Sequence, residues 1–152
     1  MKIMAKENKK LKKIALDTNI LVFASNKNSA YHGFCKKLIL DGLNGKFALC
    51  IADKTFYELF AVLSNIQGPD QATQVVQFYL EKDNFELLHS TPKTASVVLE
   101  LIKDKKIKGK YIHDLVLIAM LYEQNIDAIC TNNVKDFSGF SNLEVINPVV
   151  VS

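Results

Sequence analysis

Two kinds of apolar segment alternate along the chain. Short apolar runs bounded by turn residues predict β-strands, and longer segments with apolar residues three or four positions apart predict α-helices. The strands are expected at residues 13–16, 47–52, 85–89, 127–131 and 143–147, and the helices at about 30–43, 53–66, 70–82, 93–106 and 111–125. Because successive parallel strands need a crossover connection, this alternation predicts an α/β fold with a parallel sheet covered by helices on both faces.

The lysine-rich start of the chain differs from the rest. Six of the first 13 residues are lysine, and the segment offers almost nothing apolar to anchor it. We therefore expect residues 1–12 to form a flexible tail and residues 13–152 to form a single folded domain. No apolar run approaches the roughly 18 residues of a membrane helix, and the start lacks the apolar stretch of a secretory signal, so we expect a cytoplasmic protein.

The charged residues permit a nucleic-acid partner without requiring one. All 19 basic residues are lysine, and the net charge at pH 7 is +3. Without arginine, contacts to RNA would have to come from lysines, backbone amides and aromatic side chains. The three cysteines are far apart and form no CxxC pair, so we expect buried free thiols rather than a zinc or redox site.

An aspartate directly follows the first predicted strand. In "KKIALDTNILVFA", residues 12–24, Asp17 comes at the carboxyl end of the strand. Ligands bind at this edge of an open parallel sheet, because loops and helix N-termini converge there. Asp17 could therefore bind a ligand, or it could simply cap a helix that begins at Asn19 or Ile20.

A glutamate interrupts the otherwise apolar stretch "FYELFAVL". The neighbours of Glu58 one helical turn on are Ala61 and Val62, and an ionised carboxylate against such a surface is costly unless a cation or strong donors compensate it. A metal ion could supply that compensation, or Lys54 could do so from one turn earlier on the same helix.

Two further acids lie near the same predicted edge. Asp114 is in the first turn of the helix "YIHDLVLIAML", which is apolar enough to be buried nearly all round, although the helix dipole also favours an acid there. The fourth predicted strand runs into "AICTNNVKDF", which places Thr131, Asn133 and Asp136 at its carboxyl end. Asn133 could be only a cap and Asp136 only a turn residue.

Each acid has a local explanation, but the four together have a shared one. Carboxylates that converge in a cleft repel one another and are tolerated when hard cations such as Mg²⁺ or Mn²⁺ bridge them. Such a cluster supports metal-activated water and in-line displacement at phosphorus.

In their order along the chain these stretches resemble the PIN-domain ribonucleases, especially the VapC-like toxins of bacterial and archaeal toxin–antitoxin pairs. The matching stretches are "ALDTNILVFA", "YELFAVL", "IHDLVLIAM" and "CTNNVKDFSGFSNLEVINP", which span nearly the whole chain after the lysine-rich start. The resemblance implies a three-layer α/β/α fold whose five-stranded parallel sheet has the order 3-2-1-4-5.

The resemblance also implies roles for eight residues. Asp17, Glu58, Asp114 and Asp136 match the family's metal-binding acids, Thr131 and Asn133 the polar pair that orients the last acid and the water, and Thr18 and Asn19 the turn that aims Asp17. The implied protein is a Mg²⁺- or Mn²⁺-dependent endoribonuclease that forms a homodimer and is silenced by a small antitoxin protein.

Other interpretations of the sequence remain open. One alternative is a PIN-like protein that binds or processes RNA outside a toxin–antitoxin pair, with or without nuclease activity. A haloacid-dehalogenase-type phosphatase would need an aspartate at position 19, where the chain has asparagine, and a receiver domain would need an aspartate that "LLHST" lacks.

The apolar residues of "YELFAVL" and "QATQVVQFYL" exceed what one small sheet face covers, which favours a dimer interface, unless these two helices simply pack on each other.

Overall fold

The computed structural model describes residues 11–149, and its core is a five-stranded sheet. The strands are β1 (Lys13–Leu16), β2 (Ala48–Ala52), β3 (Phe85–Leu88), β4 (Ala128–Cys130) and β5 (Glu144–Ile146). All neighbouring strands run parallel, in the order β3-β2-β1-β4-β5. The predicted three-layer α/β/α fold and its 3-2-1-4-5 order are confirmed.

Seven helices connect these strands within residues 11–149. They are α1 (Thr18–Ser25), α2 (His32–Leu43), α3 (Asp53–Gln67), α4 (Pro69–Glu81), α5 (Pro92–Lys105), α6 (Ile112–Glu123) and the short α7 (Val134–Phe137). A 3₁₀ turn at Gly109–Tyr111 leads into α6. None of these helices is long and apolar enough to cross a membrane.

The alternation of side chains along each strand builds two separate cores. In β1, Ile14 and Leu16 point to one face of the sheet and Ala15 to the other. Helices α1 to α4 cover the first face, and α5, α6 and α7 cover the second. The apolar helix α6 is buried from Leu117 to Leu121, as its sequence predicts. Because helices cover both faces of the sheet, polar residues that follow the strands are where a site can form.

The predicted tail lies mostly outside the described residues. Residues 1–10 are not described, whereas Lys12, the last residue assigned to the tail, is bound to the amino-terminal ends of the strands. Its carbonyl oxygen accepts a hydrogen bond from the Ala48 N–H at 2.8 Å, and its ammonium group forms an ion pair with Glu144.

All three cysteines are buried free thiols, as predicted. Burial raises the pKa of Cys35 to about 11 and the pKa values of Cys50 and Cys130 to about 12. Because the thiolate is the reactive form, these side chains act as small apolar core residues.

Candidate functional site

Asp17 lies where β1 ends, and its backbone N–H donates to the Cys130 carbonyl oxygen of neighbouring β4 at 3.0 Å. One carboxylate oxygen accepts the Thr18 N–H at 2.8 Å, so Asp17 caps α1 as its local sequence allowed. The other oxygen accepts hydrogen bonds from Thr131 at 2.7 Å and from the Asn19 side chain at 3.3 Å. The cap is therefore real but is only part of what positions this carboxylate.

Thr131 joins the ends of β1 and β4 and is completely buried. Its hydroxyl donates to Asp17 and accepts the Asn133 N–H at 3.0 Å, while its own N–H donates to the Ile146 carbonyl oxygen in β5. Since a threonine hydroxyl has one proton, this pattern orients the hydroxyl toward Asp17. Of the predicted polar pair, Thr131 contacts Asp17 with its side chain, whereas Asn133 contacts Thr131 through its backbone.

Glu58 is held by two donors on the other side of the site. The Thr18 hydroxyl donates to one carboxylate oxygen at 2.6 Å, and the Lys54 ammonium binds the other at 2.7 Å. Burial opposes the ionisation of Glu58, but the hydrogen bonds from Lys54 and Thr18 outweigh it and lower its pKa. The lysine partner allowed by the sequence is thus present, and the Glu58 side chain is 41% exposed rather than covered by Ala61 and Val62.

Asp114 is in the first turn of α6, and its pKa is raised by burial and by the other three acids. Burial, followed by the carboxylates of Asp17, Asp136 and Glu58, raises its pKa to about 6 against the opposing effect of Lys54. The pKa of Asp17 is also raised, first by burial and then by Glu58, although hydrogen bonds from Thr131 and Thr18 act against this. Asp17, Asp136 and Glu58 therefore lie close enough to oppose the ionisation of Asp114, and Glu58 lies close enough to oppose that of Asp17.

Three of these acids share one cleft. It has a volume of about 540 Å³ and is lined by Asp17, Thr18, Asn19, Val22, Phe23, Glu58, Ala61, Val62, Asp114 and Asn133. Asp136 does not line this cleft but lies in α7, where its N–H donates to the carbonyl oxygen of Asn133 at 3.1 Å. The cleft thus brings together residues that are up to 116 positions apart, Asp17 and Asn133.

The donor set of the cleft fits a hard divalent cation. Its candidate ligands are carboxylate oxygens, which Mg²⁺ and Mn²⁺ prefer. Burial and then neighbouring carboxylates raise the pKa values of Asp17 and Asp114, and a bound cation would oppose both effects. Within residues 11–149, however, no three His, Cys, Asp or Glu side chains are close enough to hold an ion as they stand. Glu58 explains part of this spacing, because Thr18 and Lys54 already engage both of its carboxylate oxygens.

One charged feature beside the acids was missed by the sequence reasoning. The five lysines at 105, 106, 108, 110 and 135 line a second cleft, of about 770 Å³, which also includes Asp136. The run "KDKKIKGKY" at 103–111 is visible in the sequence, but its proximity to the acids depends on how α5 and α6 pack.

Comparison with known proteins identifies the fold family. The PIN domain model matches residues 14–142 of the chain. No curated protein matches it in sequence. Among solved structures, VapC20 of Mycobacterium tuberculosis, a Sarcin-Ricin loop cleaving toxin, has 17% sequence identity and a TM-score of 0.68, over 86% of this chain and 98% of that one.

Two toxin–antitoxin complexes are also similar in structure. VapBC2 of Rickettsia felis, bound to a DNA fragment from its promoter, has 25% identity and a TM-score of 0.66, over 89% of this chain and 98% of that one. The DNA-bound VapBC of Salmonella typhimurium has 19% identity and a TM-score of 0.65, over 91% of this chain and 99% of that one.

Proposed function

The chain belongs to the PIN domain family, and on that premise we propose that it is a metal-dependent endoribonuclease, the toxin of a toxin–antitoxin pair. The observation that carries the proposal is the single cleft lined by Asp17, Glu58 and Asp114. Burial and the charges of the other three acids raise the pKa of Asp114, which supports it. The structural likeness to a toxin that cleaves RNA and to the VapBC complexes supports the same function.

Asp17, Glu58, Asp114 and Asp136 are the residues that would hold Mg²⁺ or Mn²⁺. When bound, such an ion lowers the pKa of a coordinated water and neutralises charge on the scissile phosphate. The identity of these ligands rests on the convergence of their charges and on the family resemblance.

The chain's own polar residues prepare the acids for this role. Thr131 and Asn19 fix the Asp17 carboxylate from two directions, so its orientation is set before substrate arrives. Thr18 donates to Glu58 while its N–H binds Asp17, so a single residue links two of the acids. Because each of these two acids is already held in one rotamer, little further side-chain entropy is lost when metal and substrate bind.

A second candidate function is RNA binding without cleavage. The ion pair between Lys54 and Glu58 favours it, because an ammonium group already compensates the carboxylate that the nuclease would use for metal. Asp17, Asp114 and Asp136 have no such ion-pair partner within residues 11–149, which is why we prefer the nuclease.

For partners we propose an RNA substrate, a second copy of the chain and a small antitoxin protein, all in the cytoplasm where RNA is found. Helix α4 packs on α3 and buries Ala72 and Tyr79. This is the packing that the sequence offered as an alternative to a dimer interface. Even so, Tyr57 remains 80% exposed and Leu80 49% exposed, beside an apolar groove of about 610 Å³. Exposed apolar area of this kind is typical of interfaces and supports the dimer.

Cleavage of an unstructured RNA pool by the purified protein with Mg²⁺ or Mn²⁺ tests the function. We expect Asp17→Asn to lower the cleavage rate by at least about a hundredfold. Loss of a residue that only hydrogen-bonds to a metal ligand typically lowers activity by about 10- to 100-fold, so a ligand should cost at least as much. The matched control is Asp127→Asn, which removes an equal charge from an exposed position and should leave the rate unchanged. An inactive wild-type protein that binds neither ion in calorimetry would contradict the nuclease and favour the binding protein.

A further inference from the structure

A basic cleft adjoins the acidic one. We call it the lysine cleft and define it by Lys105, Lys106, Lys108, Lys110 and Lys135, together with the exposed aromatic ring of Tyr111. Its volume of about 770 Å³ lies within the range of small-molecule sites, about 300–1,000 Å³. Its lysines are all exposed, and Asp136 is the one acid that lines it.

The five lysines of the cleft form no ion pair with any residue that the structure describes. Lysines elsewhere on the surface do form such pairs. Lys12 pairs with Glu144, Lys13 with Glu86, and Lys37 and Lys46 with Asp41. A concave cluster of like charges without counterions attracts an anion and concentrates it locally.

Backbone turns and local contacts shape the cleft. Helix α5 ends at Lys106 in the left-handed conformation, at a φ of 53°, and Gly109 turns the chain again at a φ of 69°. The Lys105 ammonium donates to the Gly139 carbonyl oxygen at 2.7 Å and lies 5.4 Å from the centre of the Phe140 ring. These contacts join the α5–α6 connection to the segment that follows α7, and so form the two walls.

Tyr111 adds a flat aromatic surface to this charge. Its side chain is 47% exposed, and the Lys110 ammonium lies 5.5 Å from its ring centre. Proteins that bind single-stranded nucleic acid combine such elements, since cations contact the phosphates and aromatic rings stack on the bases. An acidic protein segment would satisfy the lysines but has no flat bases for the ring.

The lysine cleft reaches one of the four acids. Asp136 lines it, and so does Leu115, the residue that follows Asp114. The 3₁₀ turn that carries Lys110 and Tyr111 runs directly into the first turn of α6, where Asp114 lies. An RNA chain lying in the lysine cleft would therefore reach Asp136, one of the four acids.

We propose that the lysine cleft binds single-stranded RNA on one side of the cleaved bond, with lysines on the phosphates and Tyr111 stacked on a base. This inference rests on the proposed function, in that RNA is taken to be the ligand. Lysines on phosphates read no bases, so the cleft contributes affinity and direction of binding rather than sequence preference.

The first test measures the salt dependence of binding to a short, unstructured, fluorescein-labelled RNA by anisotropy in EDTA, so that cleavage does not interfere. Each phosphate contact to a single strand contributes about 0.7 to the slope of log affinity against log salt, so Lys108→Gln/Lys110→Gln should make the slope shallower by about 1.4. The matched control is Lys27→Gln/Lys93→Gln, an equal change of charge at exposed positions away from the cleft, where Lys93 lies at the opposite end of α5 from Lys105.

The second test concerns the aromatic ring. Tyr111→Ala should weaken RNA binding about fivefold or more, and Tyr111→Phe should retain it, because stacking needs the ring and not the hydroxyl. Circular dichroism checks that both variants fold, which the exposure of Tyr111 leads us to expect.

The outcomes separate this inference from the proposed function. If the wild-type protein cleaves RNA but the two double-lysine variants show equal slopes of log affinity against log salt, the inference is overturned and the nuclease stands. Binding of an acidic protein segment in the cleft would not change that result. A protein that cleaves no RNA but loses slope only in the Lys108/Lys110 variant refutes the nuclease and supports the inference.

Discussion

Replacing Asp114 by asparagine is expected to stabilise the metal-free protein at neutral pH. The pKa of Asp114 is raised from 3.8 to about 6 by burial and then by the charges of Asp17, Asp136 and Glu58. Since each pKa unit corresponds to about 1.4 kcal/mol, ionisation of this carboxyl reduces the free energy of unfolding by at most about 3 kcal/mol. Asp114 is partly exposed, and screening by water and salt reduces the expected gain from removing its charge to about 1–2 kcal/mol.

The direction of the shift determines the pH range of the effect. Below pH 3.8 the Asp114 carboxyl is protonated in both folded and unfolded chains, so the substitution should change stability little. As the pH rises from 3.8 to about 6, the unfolded chain ionises first, and the folded wild-type protein loses stability relative to the variant. Above that range the difference is complete and should stay constant.

Thermal and urea unfolding in EDTA, at pH values on either side of this range, measure the effect. At the higher pH the variant should melt about 3–6 °C above the wild-type protein. The exposed control Asp127→Asn should stay within about 0.5 kcal/mol of wild type at both pH values. Within residues 11–149 no hydrogen bond to the Asp114 carboxylate is lost in the variant, so the measurement isolates its charge.

Adding Mn²⁺ supplies the second half of the test. An ion present at a hundred times its dissociation constant stabilises the protein that binds it by about 2.7 kcal/mol, and the variant should gain less because it lacks one ligand. A variant that is less stable than wild type in EDTA at high pH, or that gains as much from Mn²⁺, would refute the reasoning that Asp114 shares a crowded acidic site.

Four further outcomes are expected. Lys54→Met removes the ammonium group from Glu58 and should tighten Mn²⁺ binding in calorimetry; unchanged affinity would show that the ion pair does not compete with metal. Thr131→Val leaves Asp17 without its buried donor and should cost about 1–3 kcal/mol in urea unfolding, whereas Thr131→Ser should cost less. Light scattering should show a dimer at tens of micromolar, and Tyr57→Asp should shift it toward monomer; a wild-type monomer would contradict the interface. Deleting residues 1–10 should make the salt dependence of RNA binding shallower without moving the cleavage site, and an unchanged slope would show that these lysines do not bind RNA.

Local patterns in the sequence predicted the five strands and helices α2 to α6, whereas α1 was only a possible helix capped by Asp17 and α7 was not predicted. The short apolar runs predicted the strands to within about two residues, because a strand buried on both faces needs an apolar side chain at nearly every position. The eight apolar residues that follow Asp114 predicted a helix buried all round, and α6 is one. Right-handed crossovers alone do not fix the spatial order of the strands in a sheet. The 3-2-1-4-5 order was therefore predicted from the family resemblance.

The tertiary structure alone decided which side chains meet. Asp17 and Thr131 are 114 positions apart and form a 2.7 Å hydrogen bond only because β1 and β4 are neighbours in the sheet. The sequence allowed Glu58 either a metal or Lys54, and side-chain conformation brought the lysine to it. The lysine cleft likewise exists only where the α5–α6 connection meets the segment after α7. Hydrophobic periodicity is a short-range property that a single segment carries, whereas these contacts depend on the packing of segments that are distant in the chain.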